Sequence, residues 1–188
     1  MVIHAQRVGF VAATLCRVLG LDGSQSRQIV HAAWAHDVGK HALPPEILQK
    51  RGALDPHERD VVRRHPVLGA QMLTRQGLAL AAEVALQHHE LWDGSGYPAG
   101  LKGEAISYAA RIVTICDVYA ALREQRSYKP GLCHEAALET MRRGGASDGA
   151  RPGIFDPKLL EIFLKHEQEF DATITRLPVL LPSCAART

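Results

Sequence analysis

His36 and Asp37 stand side by side at the end of a small apolar run, in the stretch Ala32-Ala33-Trp34-Ala35-His36-Asp37-Val38-Gly39-Lys40. Ile29, Ala33 and His36 follow one another at the four- and seven-residue offsets of one helical face. Asp37 is the next neighbour around that helix. Two metal-type ligands are thereby presented on the buried side of a helix end. A buried carboxylate is costly unless it is paired, and a cation is one of the few partners that satisfies it. Gly39 offers a helix stop just beyond the pair, and Lys40 follows.

The remaining periodicities are helical as well. Aromatic residues are only 5% of the 188 residues, while alanine and leucine abound, a composition that favours helix. Val8, Val11 and Leu15 share a face with His4 in a first helix over about 4–19. Ser24 is placed to cap the helix that ends at the His-Asp pair. A short helix starts at Pro44-Pro45. Asp55-Pro56 opens the next one, with Pro56 where a missing N–H costs nothing. Pro66 forces a break beside His65. The stripe Leu78, Ala81, Ala85 and His88 marks a helix that ends at His88-His89-Glu90. A loop with three glycines and a proline follows, Asp93-Gly94-Ser95-Gly96-Tyr97-Pro98-Ala99-Gly100, which excludes helix or central strand. In the next helix, Ile106, Ala110, Val113, Asp117 and Ala120 form a face that is apolar except for Asp117. Helices over about 134–142 and 157–169 complete the chain, with a loop at 144–153 between them. No strand-type alternation and no internal repeat occurs. The expectation is an all-α fold of about seven or eight helices, with a domain over 1–170 and a tail over 171–188.

Net charge is +2, too weak to argue for duplex nucleic acid or an anionic membrane as partner. The four cysteines lie far apart, so a zinc-finger arrangement is excluded; Cys16 and Cys116 fall in helical apolar patterns, as buried thiols do. No apolar run reaches membrane-spanning length, and a cytoplasmic protein is expected.

Apolar faces or helix junctions at five places deliver a ligand-type side chain: His4, His36 with Asp37, His65, His88 with His89, and Asp117. Imidazole and carboxylate donors without thiolate suit iron, manganese, zinc or cobalt. Seven such residues exceed what one tetrahedral ion needs. Two divalent transition-metal ions are the natural count, with Asp37 able to bridge them. A metal pair of this kind clamps the attacking and leaving oxygens of a phosphoryl displacement.

These residues fall in an ordered set: His36-Asp37-Val38-Gly39-Lys40, His65-Pro66, His88-His89-Glu90, the Gly96-Tyr97-Pro98 loop, Ala110-Arg111-Ile112, Asp117-Val118-Tyr119, Arg126-Ser127-Tyr128-Lys129 and Phe155-Asp156-Pro157. The set resembles the HD-GYP family of phosphohydrolases, a branch of the HD superfamily, and the resemblance runs from His4 to about His166. It implies hydrolysis of the bacterial second messenger cyclic di-GMP to linear pGpG or GMP. It further implies that the seven residues are metal ligands, iron or manganese before zinc, cobalt or nickel, and that Asp37 and Lys40 act at the scissile phosphate. Tyr97, Arg126 and Lys129 would contact substrate. The Gly-Tyr-Pro loop would also be the surface for a diguanylate cyclase or another regulatory partner.

Two departures from the family pattern matter. Members with three metals carry a glutamate one helical turn before the first histidine; here that position precedes Met1, so two ions are expected. Relatives commonly carry a sensory or receiver domain ahead of this one, so a stand-alone domain, a fragment or a unit under separate control is expected. The competing reading is a non-catalytic module that binds the nucleotide or docks a signalling partner.

Overall fold

A computed structural model describes residues 2–50, 52–125, 131–144 and 153–176. Among them no strand occurs, and the expected all-α architecture is the observed one. The helices are α1 (Val2–Val18), α2 (Gly23–Ala35), α3 (Pro45–Leu48), α4 (Pro56–Val62), α5 (His65–Arg75), α6 (Ala79–Gln87), α7 (Tyr108–Arg123), α8 (His134–Arg142), α9 (Pro157–Lys165) and α10 (Glu167–Thr175), with 3₁₀ turns at Val38–Ala42 and Gly103–Ala105.

α7 is the axis of the fold. Ala109, Ile112, Val113, Ile115, Cys116, Tyr119 and Ala120 are all buried, so the helix is apolar around most of its circumference, as a helix enclosed by others must be. α1 lies against α2, α7 and α10, while α6 lies against α2, α5 and α7. His4 on α1 and Asp117 on α7 therefore reach the same interior as the ends of α2 and α6.

Local chemistry sets most helix starts. Asp55 accepts from the Glu58 N–H while the Glu58 carboxylate accepts from the Asp55 N–H, both at 2.8 Å, a reciprocal cap ahead of Pro56. Asp22, rather than Ser24, caps α2, accepting from the N–H groups of Ser24 at 2.7 Å and Gln25 at 3.0 Å. A carboxylate there also meets the positive end of the helix dipole. Cys16 and Cys116 are buried free thiols, and burial pushes the Cys16 thiol up to about 11.

The last helical run is not continuous. His166 leaves helical geometry at φ −109° and ψ 22°, and α10 starts anew. In one straight helix, Phe163 and Phe170 would sit roughly 10 Å apart along the axis. The bend instead stacks their rings at 3.9 Å with 9° between planes, and the Tyr119 ring meets Phe163 edge-on at 5.2 Å. Fully burying such a ring stabilises by about 1.5–3 kcal/mol, enough to favour a break at one residue. α10 carries on past residue 170, with Ile174 buried beside Phe170.

Candidate metal centre

α2 stops at Ala35, one residue short of the His-Asp pair. His36 keeps helical angles as the C-terminal cap, but Asp37 turns to φ −97° and ψ 9°. That turn takes Asp37 out of the helix face and into the space between α2, α5 and α6. Gly39 is needed for contact rather than as a stop. A Cβ on it would lie 2.0 Å from the His65 carbonyl oxygen and 2.5 Å from the Gly69 nitrogen, so only glycine lets the 3₁₀ turn lie directly on α5.

Three histidines are oriented by one device. The Nδ1–H of His36 donates to the Ala33 carbonyl at 2.6 Å, that of His65 to Val62 at 2.7 Å, and that of His88 to Ala85 at 2.9 Å. In each case the acceptor lies in the last turn of a helix, where carbonyls lack intrahelical partners. A carbonyl can only accept, so each Nδ1 carries the proton and each Nε2 presents a lone pair. All three Nε2 atoms face Asp37. His36 Nε2 is 3.4 Å from Asp37 Oδ2, while His65 and His88 Nε2 are 3.3 and 3.6 Å from Oδ1.

His65 Nε2 and His88 Nε2 lie 3.2 Å apart. Both rings already donate through Nδ1, so two lone pairs confront one another. His36 Nε2 and Asp37 Oδ1 are buried without any hydrogen-bond partner. Orphaned acceptors inside a protein cost free energy unless a cation completes them. Asp37, His65, His88 and His89 each offer a ligand atom within 4.8 Å of the others, and so do His4, His36 and Asp37. Asp37 belongs to both groups.

Asp117 reaches the cluster from α7. His4 Nε2 lies 2.8 Å from its Oδ1, and His36 Nε2 lies 3.8 Å from the same oxygen. All seven candidate ligands predicted from sequence are thus brought together. Burial opposes the charge of Asp37; where an Nε2 of His36, His65 or His88 takes up a proton, it donates to the carboxylate and holds its pKa far below the usual range. Burial likewise opposes charge on Asp117, and His4 and His36 hold it low. Burial, reinforced by His88, keeps His89 neutral, the form that ligates metal. Burial also disfavours charge on His4, but Asp117 and Glu124 outweigh it and raise its pKa to about 9.

Lys40 is ion-paired through Nζ with Asp37 Oδ2, which puts its cation at the mouth of the cluster. A cleft of about 560 Å³ opens there, lined by His4, Asp37, Lys40, His41 and Glu124 on its polar side and by Leu43 and Pro45 on its apolar side. Tyr97 stands at another edge, its ring stacked on His89 at 4.7 Å, with the Arg63 guanidinium 5.3 Å from the ring centre. Arg126 and Lys129, expected to hold substrate, lie outside the described residues.

Two site residues have roles the sequence did not indicate. Glu90 accepts from the N–H groups of Ala99 at 2.7 Å and Leu101 at 2.9 Å, pinning the glycine-rich loop onto the end of α6. Gly96 sits so close beneath that a Cβ would be 2.4 Å from the Leu91 nitrogen. Glu124 meets His4 from beyond α7. A glutamate directly after two histidines is a visible signal, but the amides it binds are nine and eleven residues on. For Glu124 the sequence carried none.

A model of the HD domain family matches residues 1–150. The chain is 40% identical over 178 residues to the 3'3'-cGAMP-specific phosphodiesterase 2 of Vibrio cholerae, covering 93% of this chain and 33% of that protein. It is 37% identical over 170 residues to a cyclic di-GMP phosphodiesterase of Thermotoga maritima, covering 88% of this chain and 44% of the relative. The chain therefore spans between a third and under half the length of these two relatives. In structure it is similar to an HDG"Y"P protein of Bdellovibrio bacteriovorus, with a TM-score of 0.67 at 21% identity, covering 93% of this chain and 52% of the other; that likeness supports the fold. No helix among the described residues is long and apolar enough to cross a membrane.

Proposed function

We propose, since this chain belongs to the HD domain family and to its HD-GYP branch, that it is a metal-dependent phosphodiesterase that hydrolyses cyclic di-GMP to linear pGpG, GMP or both. The observation that carries the reading is the confrontation of His65 and His88 Nε2 at 3.2 Å, both bare of protons, above a buried and unpartnered Asp37 oxygen. Nitrogen and carboxylate donors in this number fit two divalent ions, iron or manganese. His36, His65, His88, His89, Asp117 and His4 would hold them, with Asp37 shared. When bound, such ions supply Lewis acidity and make water nucleophilic near neutral pH.

The chain's own residues do the rest. The backbone carbonyls of Ala33, Val62 and Ala85 fix three imidazoles in the ligating tautomer before any ion arrives, so little reorganisation accompanies binding. Lys40 places a cation beside Asp37, where a phosphodiester would meet it. Arg126 and Lys129 take the second phosphate, each phosphate of the dinucleotide carrying one negative charge. Tyr97, stacked on His89 and approached by the Arg63 guanidinium, would contact the nucleotide. The 3'3'-cGAMP-specific relative makes that mixed dinucleotide a second candidate substrate.

The test is to reconstitute purified protein with Fe²⁺ or Mn²⁺ under reducing conditions. Metal content is measured, and products from cyclic di-GMP and 3'3'-cGAMP are separated by chromatography. About two ions per chain and release of pGpG or GMP are expected. Metal binding without turnover of either dinucleotide would make the chain a binding module, and metal content near zero would remove the metal reading altogether.

A further inference from the structure

Of the four imidazoles that are buried or nearly so at α2, the α4–α5 junction, α6 and α1, three are aimed by the carbonyl three residues back. His4 is not. It stands in the first turn of α1 rather than at a helix C-terminus, so no unpaired carbonyl is available to its ring. On the inner side, its Nε2 meets Asp117 at 2.8 Å. On the outer side, its Nδ1 is 3.3 Å from Glu124 Oε2, an electrostatic contact in which the N–H is not aligned as a hydrogen bond. Glu124 is the first residue past α7, in extended backbone at φ −83° and ψ 128°. The side-chain exposures of His4 and Glu124 are 13% and 18%, so the pair is largely shielded from solvent.

We propose that Glu124 is the positioning residue of His4: its carboxylate draws the Nδ1–H outward, and so fixes Nε2 as the donor that faces the metal centre. A carboxylate behind a ligating histidine fixes the tautomer and raises the basicity of the other nitrogen. A backbone carbonyl does the first and, being uncharged, less of the second. His4 would then be the most strongly donating imidazole of the set and the one whose grip depends on a residue from beyond the end of another helix. Glu124 also lines the cleft beside Lys40, so the same carboxylate borders the space where substrate enters.

The inference rests on the metal-centre reading, and its test separates the two. The full chain, freed of metal, is titrated with Co²⁺ against a competing chelator, for wild type, Glu124→Ala, Glu124→Gln and Asp37→Asn. The melting temperature of each metal-free protein is recorded alongside. Glu124→Ala should bind its weakest Co²⁺ about 10- to 100-fold less tightly. Glu124→Gln should fall between it and wild type, because an amide oxygen still turns the negative end of its dipole to Nδ1 but carries no charge. Both Glu124 variants lose the same charge beside His4, so any fall in metal-free melting temperature should be small and alike in the two, while Co²⁺ affinity separates them. Unchanged Co²⁺ affinity in both variants overturns the proposal, as does weaker binding accompanied by a comparable fall in metal-free stability. Asp37→Asn should lose Co²⁺ whatever Glu124 does; if it binds like wild type, the metal-centre reading itself fails.

Discussion

Two kinds of polar cluster occur in this helical domain, and they are built on opposite principles. Behind α7, the Arg123 guanidinium donates to Asp171 at 2.6 Å and to the Tyr119 hydroxyl at 2.9 Å. Below the glycine-rich loop, Arg111 donates to Asp156 at 2.6 Å, while Asp156 also caps α9 through the N–H groups of Lys158 and Leu159. There each charge meets an opposite charge inside the chain, and what is left over is a donor, the Nε of Arg111 and of Arg123, not an acceptor. In the other cluster, five imidazoles and two carboxylates converge with lone pair against lone pair, and a buried oxygen and two nitrogens are left over. The first kind is a fastening. The second holds a place for something the chain does not itself provide. Buried polar residues alone do not distinguish the two; the direction of the donors does.

Breaking the open cluster should have the largest effect on function. Asp37→Ala should reduce turnover of cyclic di-GMP to background, with metal content falling below that of wild type, because Asp37 faces three imidazoles and belongs to both ligand groups. Chromatography of products and metal analysis check both. Near-normal turnover would show that Asp37 is no ligand.

Breaking the closed cluster should act on stability alone. Asp156→Ala removes one partner of a buried ion pair and a helix cap together. Loss of one partner of such a pair costs about 3–5 kcal/mol, seen as a lower midpoint in urea unfolding. Metal content per folded chain should remain that of wild type; a parallel loss of metal would join the two clusters and void the contrast.

A smaller effect should sharpen it. Arg126→Ala and Lys129→Ala would each remove the charged hydrogen bond to substrate proposed for them, worth about 1.5–3 kcal/mol, or roughly 10- to 100-fold. The change should appear in KM rather than kcat if the contact is equal in ground and transition states, with metal content unaltered. Loss of metal, or of kcat with KM unmoved, would transfer these residues to the chemical step.

The sequence by itself determined what is local. Helical period put His4, His36, His88 and Asp117 on inward faces, and Asp55-Pro56 and Pro66 marked helix starts, because 3.6 residues per turn and the missing proline N–H act over a few residues. The donor types followed directly, since imidazole and carboxylate chemistry needs no fold to be recognised. Tertiary structure decided how these pieces meet. Asp37 is central because the backbone turns there instead of continuing the helix. Gly39 matters because α5 lies against it, not because a helix ends. The stack of Phe163 on Phe170 broke a run whose periodicity is unbroken. Glu124 reached His4 across 120 positions of chain, and Glu90 took amides of a loop folded back over it. Contacts of this kind depend on how separate helices dock, which is set by the packing of whole faces against α7 and leaves no mark in the spacing of any one segment.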